Sequence, residues 1–369
     1  MTPLTFSSRL EHNPQPTADE RRAEILAKPG FGNHFTDHMF LSEWTPETSW
    51  QDPRVVPYGP LSIDPATAVL HYAQEIFEGM KAYARADGSV WTFRPEANAA
   101  RFQRSAARLA LPQLPVDFFV GSVDALIKAD SGWVPHGDEM SLYVRPFMFA
   151  SEVFLGVRPS QHVTYLVIAS PAGAYFKGGL KPVSIWLSTD YSRAAAGGTG
   201  AAKCGGNYAA SLLPQQQAAE HGCDQVAFLD SSEHTWVEEL GGMNLYFVQA
   251  DGSIVTPELS GSILEGITRD SVLQLSRDLG HEVIERKVSV DEWRHGTTSG
   301  QITEVFACGT AAVLTPVGVL KWDGGEAVSG QGEAGKVTSE IRSALVDIQY
   351  GRASDQHGWM HKVVDGGAK

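Results

Sequence analysis

Short apolar runs with strand character alternate with amphipathic helical patterns along most of the chain, and glycine turns separate them. In the first half, a pair of strands turns at Asp87 and Gly88, and a helical pattern begins with Pro95. In the second half, a strand over residues 225–230 precedes a hairpin over residues 244–255. Because both halves mix the two kinds of element, the sequence predicts an α+β or mixed α/β fold.

The same patterns place the remaining elements. The helix that begins with Pro95 carries Phe102, Ala106 and Leu109 on one face. Another helix is expected after Gly206, and Pro214 should kink or end it. Further helices are predicted over residues 19–27, 267–279 and 337–349, and further strands over residues 68–72, 165–170, 183–188 and 304–308.

The length of 369 residues favours two domains over one core. Residues 1–30 are rich in proline, asparagine and charge, and are interpreted as an N-terminal arm. Residues 31–176 then form a small α/β domain, residues 177–187 a linker, and residues 188–369 a larger second domain.

Acidic residues dominate the charge, with 43 Asp and Glu against 29 Lys and Arg and a net charge of −14. Such a field repels nucleic acids and anionic membrane surfaces, so neither is expected as a partner. An anionic ligand would need a local cluster of cations or helix N-termini.

Cysteine usage points to a reducing compartment. The three cysteines include no CxxC pair, which argues against a disulfide framework and against a zinc site. His34 and His38 have no further metal ligands near them in the sequence, so no metal site is expected. The first 30 residues lack the apolar core of a signal peptide, and no stretch approaches 18 apolar residues. The sequence therefore predicts a cytoplasmic protein that does not span a membrane.

The most unusual segment is residues 197–208, GGTGAAKCGGNY, in which Lys203 stands between small residues with no acidic neighbour. Small neighbours allow a planar group to approach the amine, which suits Schiff-base chemistry. A solvated lysine in a flexible glycine loop is the alternative that spacing alone leaves open. Phosphate-loop and dinucleotide motifs do not fit, because Ala202 and Cys204 flank the lysine and Lys203 itself replaces the third glycine.

Several separated motifs resemble those of the branched-chain aminotransferases, which are fold-type IV enzymes dependent on pyridoxal 5′-phosphate. The resemblance runs from about residue 30 to the last helix. It implies a two-domain fold with a small N-terminal and a larger, cofactor-binding C-terminal domain. The motifs, in chain order, are FTDHM at 35–39, HY at 71–72, FEGMK at 77–81, VRP at 144–146, KCGGNY at 203–208, ELGGMN at 239–244, GITRD at 266–270 and CGTAA at 308–312.

The resemblance assigns roles around the reactive part of the cofactor. Lys203 matches the Schiff-base lysine, which would also move the proton of the substrate. Tyr208 matches the phenol that binds the O3′ oxygen, and Glu239 the carboxylate paired with the pyridine nitrogen. Glu238 is expected to face the other side of the strand as a solvated neighbour.

For the cofactor phosphate, the resemblance points to the N–H groups of Ile267 and Thr268 at a helix N-terminus. Thr310 would add a hydroxyl group. Arg101 matches the family's phosphate-binding arginine.

For the substrate, the resemblance implies an aromatic and apolar lining into which Arg145 brings a charge for the second carboxylate of glutamate. Leu155 and Val157 resemble a loop contributed by a neighbouring subunit, so a homodimer is expected. The other substrate-binding residues implied are Phe35, Tyr72, Phe77, Tyr143, Tyr175 and Ala311.

The implied reaction is transamination between leucine, isoleucine or valine and 2-oxoglutarate, with small amino acids and 2-oxo acids as partners. A D-amino-acid aminotransferase or an aminodeoxychorismate lyase of the same fold is the nearest alternative. A protein that binds a phosphate ligand without catalysis is an alternative of another class.

Overall fold

A computed structural model describes residues 6–173, 180–330 and 333–367. The chain divides into two compact units, which we describe separately: unit 1 is Met1–Tyr175 with Ile348–Lys369, and unit 2 is Phe176–Asp347. Both units mix helices and strands, as predicted. Among the helices that the structure describes, none combines the length and the apolar character needed to cross a membrane.

Unit 1 is built on one nine-stranded sheet with four helices. The helices are α1 (Asp19–Ala27), α2 (Val69–Tyr72), α3 (Pro95–Arg108) and α4 (Val116–Ala129). The strands are β1 (Arg9–Leu10), β2 (His38–Thr45), β3 (Ser49–Pro57), β4 (Glu75–Phe77), β5 (Met80–Ala84), β6 (Val90–Phe93), β7 (Ser141–Ala150), β8 (Val163–Ala172) and β18 (Met360–Val364). Their order is β1-β3-β2-β8-β7-β5-β6-β18, with β4 paired to β7.

The core of unit 1 forms where helices α3 and α4 cover the sheet. Phe102 of α3 is fully buried, and its ring lies 5.3 Å from that of Phe119 in α4 and 5.8 Å from that of Tyr165 in β8. Each fully buried aromatic side chain contributes roughly 1.5–3 kcal/mol of transfer free energy. The stripe predicted from Phe102 and Ala106 is thus the face that α3 packs inward.

Unit 2 contains the other nine strands. The helices are α5 (Gly205–Ala209), α6 (Leu212–Glu220), α7 (Ile267–Asp278), α8 (Val290–Ser299) and α9 (Lys336–Gln349), whose last two residues belong to unit 1. The strands are β9 (Val183–Leu187), β10 (Gln225–Leu229), β11 (Val237–Leu240), β12 (Asn244–Gln249), β13 (Ile254–Thr256), β14 (Val283–Glu285), β15 (Ile302–Gly309), β16 (Val313–Trp322) and β17 (Gly325–Val328).

Six of these strands close into a ring. The order β11-β10-β9-β16-β15-β12 returns to its start because β11 also pairs with β12, through Glu239 and Asn244. Its interior holds fully buried side chains such as Leu245, Phe247 and Leu320. Closing the ring leaves these six strands without an unpaired edge and fixes the end of β11 against the start of β12.

Some sequence predictions about the fold are wrong. Residues 68–72, predicted as a strand, contain the single-turn helix α2, in which the N–H groups of Leu70 and Tyr72 bond back to Thr67 and Ala68. A short apolar run does not distinguish the two states, and no strand among the described residues pairs with this one.

Another error concerns residues 348–369, which were assigned to the second domain. They belong to unit 1, because β18 pairs with β6 and His361 bonds to Asp124 of α4 at 2.9 Å. Likewise, β1 lies within the segment interpreted as a loose arm and pairs with β3.

Candidate active site

Lys203 and Tyr208 lie at the two ends of a tight turn between the glycine-rich loop and helix α5. The ammonium group of Lys203 donates a hydrogen bond of 2.9 Å to the phenol oxygen of Tyr208, and both side chains are half-buried. The helix begins at Gly205, two residues after the lysine, so its first turn brings the tyrosine back to the amine. The lysine therefore has a defined partner, which argues against a solvated lysine in a flexible loop.

Asn207 fixes the backbone that leads to Lys203. This buried amide donates to the carbonyls of Thr199 and Ala202, both at 2.8 Å, and accepts from the hydroxyl of Thr199 at 2.7 Å. All the hydrogen bonds are local, so α5 and the loop hold each other in one conformation. The sequence analysis did not identify this residue, although it lies inside the KCGGNY motif.

Glu239 is a buried carboxylate of β11, only 2% exposed, that faces a cation. Its Oε1 accepts from the backbone N–H of Leu264 at 2.8 Å and lies 2.5 Å from an amino nitrogen of Arg193. Burial raises the pKa of the Glu239 carboxyl, while Arg193, the Leu264 N–H and the charge of Lys203 oppose that rise.

Glu238 is also buried, which contradicts the expectation of a solvated neighbour. It is 5% exposed, and its Oε1 accepts a hydrogen bond from the hydroxyl of Ser262. Its Oε2 has no hydrogen-bond partner among the residues that the structure describes. Burial raises the pKa of this carboxyl, and Ser262 and Arg193 act against it. The segment before α7, which carries Ser262, lies against Glu238.

Strand register gathers further site residues at one edge of the ring. Glu239 pairs with Asn244 at the start of β12, and Asn244 in turn pairs with Cys308 near the end of β15. Thr310 follows Cys308 by two residues, in the turn to β16. A Cβ atom on Gly242 would lie 3.8 Å from the ring of Tyr208, so the β11–β12 turn lies against the tyrosine.

The N-terminus of α7 presents uncapped N–H groups. Gly266 is the N-cap residue and supplies no side-chain acceptor, so the N–H groups of Ile267 and Thr268 lack intrahelical partners. The side chain of Asn244 donates to the carbonyl of Leu264 at 3.1 Å, and a Cβ on Gly266 would come within 2.1 Å of its Oδ1. Only glycine fits there, which keeps this turn close to β12.

Arg101 of unit 1 is 4% exposed and is held by a buried carboxylate. Its Nε and one amino nitrogen donate to the two oxygens of Glu78, each at 2.8 Å, and Asn98 donates to the same carboxylate at 2.8 Å. Such a bidentate pair fixes the direction of the guanidinium group. Glu78, in the FEGMK motif, was not identified as its partner from the sequence.

Three of the predicted substrate residues form one cluster on the sheet of unit 1. Tyr143 and Arg145 are two residues apart on β7, so both side chains point to the same face of the sheet. Arg145 donates a hydrogen bond of 3.0 Å to the tyrosine oxygen. The guanidinium group lies 4.6 Å from the centre of the Phe77 ring. A Cβ on Gly79 would lie 2.1 Å from the Tyr143 oxygen, so this glycine makes room for the tyrosine.

The other predicted substrate residues are more dispersed. Tyr72 donates its hydroxyl to the carbonyl of Leu155, while Leu155 and Val157 are 65% and 89% exposed. Phe35 stacks on Tyr58 with ring centres 5.1 Å apart. Ala311 lies in the β15–β16 turn next to Thr310. Tyr175 lies outside the described residues.

The structure brings together Lys203, Tyr208, Glu239, the α7 N-terminus and the Thr310 turn in unit 2, and separately the Phe77, Tyr143 and Arg145 cluster in unit 1. Sequence reasoning missed Arg193, a buried arginine of unit 2. Its only local signal is its position four residues before the glycine-rich segment.

Comparisons with known proteins identify relatives of this chain. A branched-chain-amino-acid aminotransferase of Mycolicibacterium smegmatis is 58% identical over 98% of this chain and 99% of its own, and a probable one of Streptomyces coelicolor is 62% identical over 97% and 99%. Among solved structures, the Escherichia coli branched-chain amino acid aminotransferase has a TM-score of 0.73 at 30% identity, covering 89% of this chain and 99% of that one. A T.th. branched-chain amino acid aminotransferase, solved with pyridoxamine 5′-phosphate, has a TM-score of 0.73 at 30% identity, covering 87% and 98%.

The family model of class IV amino-transferases matches residues 75–320, about two thirds of the chain. That range contains Lys203 with Tyr208, Glu239, the N-terminus of α7 and the turn at Thr310. The chain belongs to the class IV aminotransferase family.

Proposed function

We propose that this protein transfers amino groups between branched-chain L-amino acids and 2-oxoglutarate, using pyridoxal 5′-phosphate held covalently by Lys203. The observation that carries the proposal is the contact between the Lys203 amine and the Tyr208 hydroxyl, at 2.9 Å, with a buried carboxylate in the same unit. A lysine so placed combines a nucleophilic amine with a phenol that can take or return its proton.

The residues present fit this cofactor. Glu239 offers its Oε2 to a protonated ring nitrogen, since Oε1 already meets Leu264 and Arg193. The N–H groups of Ile267 and Thr268 at the start of α7 suit a phosphate, because the N-cap residue Gly266 offers them no side-chain acceptor. We assign the phosphate to Ile267, Thr268 and Thr310 of unit 2, and the proposed role of Arg101 rests on its family motif alone.

When bound, pyridoxal phosphate supplies a carbonyl that takes up the amino group and a ring that accepts electrons. Lys203, freed from the cofactor when the substrate amine takes its place, would accept the proton from the substrate Cα atom and return it at C4′ of the cofactor. Tyr208 keeps the amine oriented for both transfers. Glu239, held as an anion by Arg193, favours the protonated ring nitrogen and so the withdrawal of electrons.

For substrates, the cluster of Phe77, Tyr143 and Arg145 suits both partners of the reaction. Phe77 and the ring of Tyr143 offer apolar surface to a branched alkyl group, whereas Arg145 and the Tyr143 hydroxyl can bind the distal carboxylate of glutamate. One cluster that accepts either group is what transamination between these substrates requires. Phe35 and Tyr72 of unit 1 are proposed to add to the lining, whereas the proposed roles of Ala311 and Tyr175 rest on the resemblance alone.

We also propose a homodimer in which the loop at residues 155–157 contacts a second copy of the chain. Val157 is 89% exposed and Leu155 65%, although both are apolar, and Tyr72 fixes the loop through the Leu155 carbonyl. Burying two such side chains on association is favourable. Sedimentation should give a dimer for the natural protein and more monomer for Val157→Asp; an unchanged mass would contradict the assignment.

The central experiment tests cofactor and substrate together. Purified protein incubated with pyridoxal phosphate is expected to gain absorbance beyond that of its aromatic side chains, and borohydride should fix the cofactor on the Lys203 peptide, as read by mass spectrometry. It should then convert leucine, isoleucine and valine with 2-oxoglutarate. Turnover of D-alanine or aminodeoxychorismate without leucine would overturn the substrate assignment, and a protein that takes up no cofactor would favour the non-catalytic alternative.

A further inference from the structure

Arg193 joins three separate segments of the site in unit 2. It lies in the loop after β9 and is 5% exposed. One of its amino nitrogens donates to the carbonyl of Gly200 at 3.0 Å and to that of Ser262 at 2.6 Å, and the same nitrogen lies 2.5 Å from Oε1 of Glu239. These acceptors belong to the Lys203 loop, to the segment before α7, and to β11.

The close approach of the first two segments explains why one nitrogen can reach both. A Cβ on Gly200 would lie only 2.1 Å from the carbonyl oxygen of Ser262, so the two backbones touch. This amino nitrogen of Arg193 donates hydrogen bonds to the carbonyls of Gly200 and Ser262, and it forms an ion pair with Glu239. Arg193 thus fixes Oε1 by charge, while Oε2 accepts no hydrogen bond from any residue that the structure describes.

The charges around Glu239 make this contact decisive. Glu238 precedes it on β11, Lys203 approaches from the loop before α5, and Cys308 lies across from it on β15. Two buried carboxyl groups therefore share one buried guanidinium, and burial disfavours the charge of both. Without Arg193, Glu239 would face a like charge in a dry environment and would take up a proton.

We infer that Arg193 is a positioning residue that keeps Glu239 anionic and holds its Oε1, so that Oε2 is presented to the ring nitrogen of the cofactor. The inference rests on the proposed function. It adds the ion pair between Arg193 and Glu239, which lies behind the pair that Glu239 forms with the ring nitrogen of the cofactor in the proposal. A neutral Glu239 would no longer favour a protonated ring nitrogen, and the electron-accepting power of the ring would fall.

Two variants test this inference, and they are expected to shift the pH dependence of activity and absorbance in opposite directions. In Arg193→Lys, the shorter side chain weakens the pair, so the acidic limb of the kcat/KM pH profile, and the pH dependence of the bound cofactor's absorbance, should move to higher pH. In Glu238→Gln, the competing carboxylate is gone, so both should move to lower pH. Opposite shifts would not arise from a merely structural role, whereas shifts of the same sign or none would overturn the inference.

A double-mutant cycle tests the route of the effect. Arg193→Met should lower kcat roughly 10- to 100-fold, the range seen when residues that orient a metal ligand are replaced. In the Glu239→Gln background, where the side chain has no charge to stabilise, the same substitution should change kcat little further. Equal losses in both backgrounds would contradict an action through Glu239.

Arg294→Met is the matched control, because it removes a different guanidinium of unit 2. Arg294 is a half-buried residue of α8 whose guanidinium lies 4.5 Å from the centre of the Trp322 ring. It should lower the melting temperature without shifting the absorbance titration. If Arg193→Met does not fold, Arg193→Lys and Glu238→Gln still decide the question. If the natural protein takes up no cofactor, the proposed function fails; if it does and the variants titrate alike, only this inference fails.

Discussion

The ammonium nitrogen of Lys203 lies 2.9 Å from the phenol oxygen of Tyr208, and both residues are positioned by a single turn of helix. The glycine-rich loop before the lysine is held by Asn207 rather than left free. A pair fixed in this way reacts in one geometry. The consequences can be measured one residue at a time.

Replacing Lys203 by alanine should abolish the covalent attachment of the cofactor and lower turnover roughly 10²- to 10⁴-fold, the usual contribution of a positioned acid–base group. Steady-state rate assays measure the turnover, and mass spectrometry after borohydride treatment measures the covalent attachment. Lys287→Ala is the control, because that lysine lies over the ring of Trp236 and makes no recorded contact with Lys203 or Glu239. Undiminished labelling of the Lys203→Ala protein would refute the assignment.

Tyr208→Phe should keep the fold and lower kcat by about 10- to 100-fold. The loss corresponds to one hydrogen bond to a charged group, roughly 1.5–3 kcal/mol. The absorbance of the bound cofactor should shift as well, because the phenol is removed from its oxygen. A variant with the kinetics and the spectrum of the natural protein would rule out this role.

Arg145→Gln should separate the two substrates. Its guanidinium binds a carboxylate in the proposal, so kcat/KM for glutamate should fall about 10- to 100-fold while that for leucine changes much less. Arg158→Gln, which removes an exposed arginine paired with Glu152, is the control. Parallel losses for both amino acids would show that Arg145 does not discriminate between them.

Gly200→Ala should misplace the loop that carries Lys203. The added Cβ would meet the backbone of Ser262 at 2.1 Å, and backbone cannot rotate away, so we expect a cost of about 1–3 kcal/mol together with weaker cofactor binding. Chemical denaturation and cofactor titration measure the two effects. Gly59→Ala, where a Cβ meets nothing within 4 Å, should change neither.

His361→Gln should destabilise the protein mainly at acidic pH. The hydrogen bond to Asp124, 2.9 Å long, raises the pKa of His361 in the folded state. A raised histidine pKa stabilises the fold below the unfolded pKa of about 6.5, and the contribution is lost as pH rises through the folded value. Denaturation midpoints of the two proteins should thus differ most near pH ~5 and converge above neutrality; a difference independent of pH would contradict this.

Much of the fold was accessible from the sequence because its signals are local. The helix α1 has the predicted bounds, Asp19–Ala27. The helical stretch after Gly206 is interrupted between Ala209 and Leu212, and Pro214 lies in the first turn of α6 rather than at a helix end. Residues 68–72 were misread because an apolar run of five residues fits a strand as well as one helical turn. The family prediction is confirmed by the comparisons.

The sequence by itself determined the family and the residues that are proposed to bear the chemistry. Lys203, Tyr208 and Glu239 were identified from motifs whose members are adjacent along the chain. Only the tertiary structure decided what surrounds them. Arg193 and the Ser262 carbonyl are 69 residues apart in sequence, and Glu238, which is buried, is contacted by Ser262 from a segment 24 residues away. Ion pairing and desolvation depend on distances between remote segments, and no local pattern of residues encodes those distances.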